Sequence, residues 1–245
     1  MGSPPRRLSL VFPAYNEAPR IPGTLDALRA FAAGRFDALE VLWVDDGSSD
    51  RTAELLRQAA SAMDGPLQVR VLSQPRNLGK GAAVRRGMLE ASEPWVLMSD
   101  ADLSTPLEEL DALWRALDDS GADVALGSRA LPDSRLEIRQ PGYREAMGRT
   151  FNLLVQGLVV GGIQDTQCGF KLFRRGAAQA LFARARVDRF AFDVEVVYLA
   201  RQMGLRVVEV PVRWRHAEGS RVRPIRDSAR MFADLLRIRW MHRGG

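Results

Sequence analysis

Two aspartates one residue apart, Asp100 and Asp102 in "PWVLMSDADLSTP", follow directly on an apolar run from Trp95 to Met98. Carboxylates at that spacing can share one divalent cation, or one can hold the cation while the other takes a hydroxyl. Surface turns carry Asp-x-Asp by chance, so the pair gains weight only from standing where a buried strand ends. Asp45 and Asp46 end a second apolar run, "VLWV", ahead of Gly47-Ser48-Ser49-Asp50. Ser49 or Asp50 as a helix cap accounts for much of that stretch. It does not account for two successive acids before the glycine, one of which suits a base or a ribose. In "NLGKGAAVRRG", Gly79 and Gly81 permit a tight turn into a helix, and that helix start beside Lys80 is an expected anion site. A glycine-rich helix start is weak evidence by itself.

The elements that must hold these groups alternate along the first 130 residues. "LSLVFPAY", "LEVLWVDDGS", "LQVRVLSQP", "PWVLMSD" and "ADVALGSR" read as strands. Between them "RIPGTLDALRAFAA", "SDRTAELLRQAASAM", "GKGAAVRRGMLEAS" and "PLEELDALWRALDDS" read as helices. Short continuous apolar strands separated by helices predict an α/β fold with a mostly parallel central sheet flanked by helices on both faces. Ligands of such sheets bind beyond the carboxyl ends of strands, where "PAYNE", "DDGSSD" and "DAD" all stand.

Farther on, "SRALPDSRLEIRQPGYRE" (Ser128 to Glu145) has no periodicity and reads as a long loop of the kind that forms lids. Helical spacing returns over Ala146 to Val160 and again near Phe192 to Met203, and "RVVEVPVRW" reads as one strand. The tail "RDSARMFADLLRIRWMHR" is amphipathic, with Met231, Phe232, Leu235, Leu236, Ile238 and Trp240 set among arginines. The 245 residues are expected to form one domain: residues 8–127, then 128–224, then a C-terminal amphipathic helix over 225–245.

Composition narrows the chemistry. The net charge of +5 comes almost wholly from arginine, since lysine occurs only at Lys80 and Lys171. An arginine-rich surface suits phosphate-bearing partners, although genomic base composition explains it equally well. With Cys168 alone and only His216 and His242, neither a disulfide framework nor a histidine–cysteine metal site can form. A metal must lean on carboxylates, which points to Mg²⁺ or Mn²⁺. A reducing cytoplasm is the expected compartment. "MGSPPRRLSLVF" does not read as a signal peptide, and "FNLLVQGLVVGGI" (Phe151 to Ile163) falls short of the roughly 20 residues that span a bilayer.

Taken in order, "VFPAYNE", "VDDGSSDRT", "RNLGKGAAVRRG" and "SDADLSTP" resemble the nucleotide-sugar half of family-2 glycosyltransferases with the GT-A (Rossmann-like) fold. "GSRA", "DTQCGFKLF", "FAFDVEVVYLARQMG", "VPVRW" and "EGSRV" resemble, more narrowly, dolichyl-phosphate β-glucosyltransferases and related polyprenyl-phosphate sugar synthases. The resemblance implies that Pro13, Tyr15 and Glu17 surround the nucleoside and that Asp46, with Asp45 beside it, contacts the base. It implies Asp100 at the ribose, with Ala101 and Lys80 nearby, and Asp102 on the metal. Arg215 matches a phosphate-contacting arginine of the mannosyl branch, while Ser220 and Arg221 match a Ser-Lys pair with Arg in place of Lys. The chain therefore mixes a glucosyl-like "DTQCGFK" with a mannosyl-like Arg215, leaving UDP-glucose and GDP-mannose both open as donors.

The implied reaction is inverting. A polyprenyl phosphate is largely ionised at neutral pH, with a second pKa of roughly 6, and needs no general base. It needs cations, for which Arg129, Arg135, Arg139, Arg144 and Arg149 stand around the expected lid and Gln167 lies in the adjoining motif. A hydroxyl acceptor would need a base, for which Asp165 and Asp193 are the candidates, with loop capping as their plainer role. Cys168 has no base partner and reads as a packed side chain. Phe151 to Ile163 and the tail are the two segments able to lie peripherally on a membrane surface, the first equally able to pack on the domain. Acidic motifs at every strand end argue against a nucleic-acid partner.

Overall fold

The computed structural model describes residues 6–62, 67–138, 155–157, 159–215 and 224–243. The chain begins β1 (Arg7–Ala14), α1 (Ile21–Ala32), β2 (Ala38–Asp45), α2 (Thr52–Ser61), β3 (Leu67–Ser73), α3 (Lys80–Glu90) and β4 (Trp95–Ser99). After a 3₁₀ turn at Leu107–Glu109 come α4 (Leu110–Ser120), β5 (Val124–Ser128) and β6 (Arg135–Ile138). Then follow β7 (Phe170–Arg174), α5 (Arg175–Arg184), α6 (Phe192–Gln202), β8 (Val207–Pro211), β9 (Arg213–Arg215) and α7 (Pro224–Met241).

Seven strands form one sheet in the order β3-β2-β1-β4-β7-β5-β8. All neighbours are parallel except β7, which runs against both β4 and β5. The apolar runs of β1 and β2 are continuous because both sheet faces are covered. Leu8, Leu10 and Phe12 of β1 and Val41 and Trp43 of β2 pack with α1, α2 and α4. Val11, Leu42 and Val44 point the other way, to α3, α5, α6 and α7. The order reverses at β1: β2 and β3 lie on one side and β4 on the other. Loops leaving β1 and β4 diverge there, opening the crevice in which such sheets bind ligands.

Two expectations need correction. The stretch from Ser128 is not all loop, because Arg135–Ile138 forms β6 and pairs in parallel with β9 in a second, two-stranded sheet; residues 139–145 lie outside the described residues. "RVVEVPVRW" is two strands in two sheets: Pro211 closes the pairing with Ser128, and Val212 N–H, bonded to Ser128 O at 3.2 Å, turns the chain toward β6. Having no N–H, Pro211 cannot extend a ladder. β7 and α5 were not apparent, because a strand with a lysine at its second position breaks the apolar pattern. Of Phe151 to Ile163, the described Val155, Val160 and Ile163 are buried in the core.

Candidate functional site

The ends of β1 and β2 are clasped together. Asn16 adopts φ 54° and its N–H donates to Ser48 Oγ at 2.9 Å, while its Oδ1 accepts from Ser49 N–H at 2.8 Å. Glu17 N–H donates to Thr52 Oγ1 at 2.7 Å, and the Glu17 carboxylate pairs with Arg20. Pro13, Tyr15 and Glu17 are half-buried along this edge of the crevice. Asp45 Oδ1 accepts from Ser48 N–H at 3.1 Å, which shapes the turn after β2.

Asp46 has a structural partner set of its own. Its Oδ1 accepts from Gln74 Nε2 at 2.9 Å and Leu78 N–H at 2.8 Å, and its Oδ2 from Gly79 N–H at 2.9 Å. Burial pushes this carboxyl above its usual range, against the pull of those two backbone N–H groups. The N–H of Ala82 is in turn bonded to Asp188 O at 3.0 Å. The N–H groups of Leu78, Gly79 and Ala82, at the start of α3, are thus taken by the protein's own oxygens. Gly79 and Gly81 are required by packing: a Cβ on either would lie 2.3 Å from the carbonyl oxygen of Asp188 or Val187.

The end of β4 carries the charge cluster. Lys80 Nζ lies 2.6 Å from Asp100 Oδ1. Burial opposes the charge on Lys80, but Asp100, then Asp193 and Asp102, outweigh it and hold the ammonium well above its usual range. Asp102 Oδ1 accepts from Ser104 N–H at 2.9 Å, leaving its other oxygen for a ligand. Between them Ala101 O accepts from Thr24 Oγ1 at 2.7 Å, tying the loop to α1. Leu103, at φ 49°, is a second non-glycine residue in the left-handed region, a strain of about 1–3 kcal/mol at the rim of the crevice.

Behind Asp100 lies a buried layer. Lys171 of β7 reaches Asp193 Oδ1 at the start of α6 at 2.5 Å and also donates to Cys168 O. Lys171 and Asp193 are 1% and 6% exposed, so each charge depends on the other. Burial raises the Asp193 carboxyl, while Lys171 and then Lys80 oppose that rise. Both lysines of the chain therefore meet in one charge cluster around Asp100 and Asp193. Gly169 packs flat on Asp100: a Cβ there would lie 2.1 Å from Asp100 Oδ2 and 2.4 Å from its Cγ. Lys171 and Gly169 sit in the motif "CGFK" and were given no role from sequence. The scarcity of lysine was the one signal that could have singled out Lys171.

Arg129 and Asp165 form a forked pair. Arg129 Nε lies 2.7 Å from Asp165 Oδ2, and its second terminal nitrogen lies 2.8 Å from Oδ1. Arg129 N–H and Gln167 N–H complete four bonds to the same carboxylate. Burial would raise the Asp165 carboxyl, but Arg129 overrides it and holds it below the usual range. Asp165 is thereby removed from the candidates for a general base, and the Arg129 charge is matched within the fold. Burial pushes the Cys168 thiol up to about 11, in keeping with an unreactive packed side chain. Arg215 N–H donates to Ser104 O at 2.9 Å, which brings β9 against the Asp102 loop. Ser220 and Arg221, like Arg139, Arg144 and Arg149, lie outside the described residues.

For a divalent cation the donors fit in kind. Asp102 and Asp100 offer hard oxygens, although no cluster of three or more protein ligands occurs among the described residues. Mg²⁺ bound by one or two carboxylates takes its remaining ligands from phosphates and water, so two acids beside an open crevice suffice.

The family model "Glycosyl transferase family 2" matches residues 9–182. Dolichyl-phosphate beta-glucosyltransferase of Dictyostelium discoideum is 36% identical over 96% of this chain and 74% of its own length. The proteins of the same name from Homo sapiens and Drosophila melanogaster are 36% and 40% identical, over 97% and 96% of this chain and 76% and 75% of their own. Among solved structures, glucosyl-3-phosphoglycerate synthase from Mycobacterium tuberculosis in complex with UDP superposes with a TM-score of 0.66 at 20% identity, covering 98% of this chain and 82% of that one. A mannosyltransferase from Pyrobaculum calidifontis in complex with GDP-Man and Mn²⁺ gives 0.61 at 21%, over 89% and 60%. These two likenesses establish the fold, which is GT-A.

Proposed function

The chain belongs to glycosyl transferase family 2, and from that premise we propose that it transfers glucose from UDP-glucose to a polyprenyl phosphate with inversion. The observation that carries the reading is the meeting of Asp100, Asp102, Lys80 and the Arg215 strand at the crevice between β1 and β4. That crevice offers acids for a ribose and a cation, and bases for phosphate. The acceptor is supported by relatives named dolichyl-phosphate beta-glucosyltransferases, aligned over nearly the whole chain.

In this mechanism the nucleoside lies along Pro13, Tyr15 and Glu17, with Asp45 and Asp46 shaping its floor. Asp100 orients the ribose. Asp102 would hold Mg²⁺ or Mn²⁺, whose chemistry when bound is to neutralise the diphosphate leaving group. An oxygen of the acceptor phosphate attacks the anomeric carbon as the bond from that carbon to the UDP oxygen breaks. The acceptor enters already deprotonated, so no side chain has to take a proton. Arg215, Ser220 and Arg221 are assigned to the phosphates, and Gln167 to the acceptor side. Arg129 and Asp193 act by position: Arg129 sets the loop carrying Gln167, and Asp193 sets the layer behind Asp100.

The same reading puts the protein peripherally at a membrane, on its cytoplasmic side; no described helix is long and apolar enough to cross one. A GDP-mannose donor is the second reading, favoured by Arg215. Incubation with UDP-glucose or GDP-mannose, Mn²⁺ or Mg²⁺ and a short polyprenyl phosphate decides between them. A lipid-linked glucose is expected. If only a soluble hydroxyl compound becomes glycosylated, the acceptor assignment is wrong. Asp102→Asn is expected to abolish metal-dependent turnover, and near-normal activity would remove Asp102 as the ligand.

A further inference from the structure

The last helix has two working faces. Leu235 and Ile238 are fully buried against the core cluster that includes Val196, Val197 and Ala200 of α6. His242 Nε2 lies 2.8 Å from Glu195 Oε1, and Gln202 Nε2 donates to His242 O at 3.0 Å. That face is fastened to α6, whose first turn carries Asp193. On another face Phe232, Leu236 and Trp240 are 42%, 53% and 73% exposed. Their spacing of four aligns them in one stripe along two turns. Arg237, Arg239 and Arg243 are exposed beside it. From Arg230 to Arg243 four arginines stand against a single acid, Asp234, which is only half-exposed.

We propose that this stripe is a docking surface for an anionic lipid bilayer. The three apolar side chains enter the boundary between headgroups and acyl chains, and the neighbouring arginines meet lipid phosphates. An apolar stripe edged by positive charge is complementary to that surface. It is poorly complementary to a second copy of itself, because a two-fold contact would bring the arginine rows together. A helix pinned along its other face keeps the stripe fixed relative to the site. The inference deepens the lipid-acceptor reading and draws its purpose from it, but its physical basis and its test do not use the acceptor.

The test is co-sedimentation of the full chain with vesicles of phosphatidylcholine alone or mixed with phosphatidylglycerol. Wild type is expected to pellet with the mixed vesicles and to be released by salt. Phe232→Ser/Leu236→Ser/Trp240→Ser is expected to stay in the supernatant with its unfolding transition retained. Each arginine near an anionic surface strengthens binding about fivefold, so Arg237→Gln/Arg243→Gln should weaken it about thirtyfold. Wild type that ignores anionic vesicles, or a triple variant that binds them equally, overturns the proposal. So does wild-type self-association, read by sedimentation velocity, that the triple variant abolishes without any vesicle binding. The triple variant should still glycosylate a water-soluble short-chain polyprenyl phosphate. If wild type fails that reaction yet binds vesicles, the acceptor reading falls and the docking surface stands.

Discussion

Adding one methyl group at Gly169 should disable the site without unfolding the protein. A Cβ built there lies 2.1 Å from Asp100 Oδ2, 2.4 Å from Cγ and 2.8 Å from Oδ1. Ordinary contact needs about 3.5 Å, so the carboxylate must retreat by about 1.4 Å or rotate. Asp100 can do so, because its side chain is 31% exposed and open to the crevice. The backbone bond from Asp100 N–H to Gly169 O at 3.1 Å is not touched. The fold should therefore lose no more than about 1–2 kcal/mol, within the range of about 0.5–3 kcal/mol usual for a single substitution. The catalytic loss is larger. A displacement of about 1 Å at a positioning group costs on the order of a hundredfold, or about 2.7 kcal/mol of transition-state stabilisation. Gly169→Ala would be assayed by kcat/KM for the nucleotide sugar alongside thermal unfolding. Activity within twofold of wild type would refute the claim that the methyl group displaces Asp100. A loss matched by collapse of the unfolding transition would refute the claim that the effect is local.

Lys171→Met should be destabilising by about 3–5 kcal/mol in urea unfolding, because it leaves Asp193 without its buried partner, and Lys171→Met/Asp193→Leu should recover much of that loss. Asp46→Asn turns an amino group toward Leu78 or Gly79 N–H; a cost of about 2 kcal/mol and faster amide exchange at those two residues are expected. For Asp165 the folded pKa lies below the unfolded value of about 3.9, so its stabilisation is complete above that value and drains as pH falls through the folded one. The stability gap between wild type and Asp165→Asn should accordingly shrink in acid; a gap that stays constant from neutral pH to strong acid would contradict the Arg129 pairing.

The strands and helices up to Ser128 were legible because burial on both sheet faces leaves continuous apolar runs, and strand-end acids interrupt them sharply. β7 was not legible, since Lys171 is tolerable inside a sheet only if Asp193, 22 residues later in the chain, arrives beside it. The break at Pro211 was equally hidden: one proline in a strand reads as an edge, and only the pairing of Ser128 and β6 shows two sheets. Among site residues, Asp100 and Asp102 came from pattern alone. The service of Asp46 to the α3 turn and the matched charge of Arg129 did not, because a hydrogen-bond acceptor looks the same in sequence whether it faces a ligand or its own backbone.

By itself the sequence determined the element types up to Ser128, the strand-end position of the acids and the kinship that those motifs carry, all properties of local spacing. Tertiary structure decided which charges are already neutralised, which glycine presses on Asp100, and which apolar residues of the last helix remain exposed. Those depend on distances between segments far apart in the chain, and local spacing does not encode them.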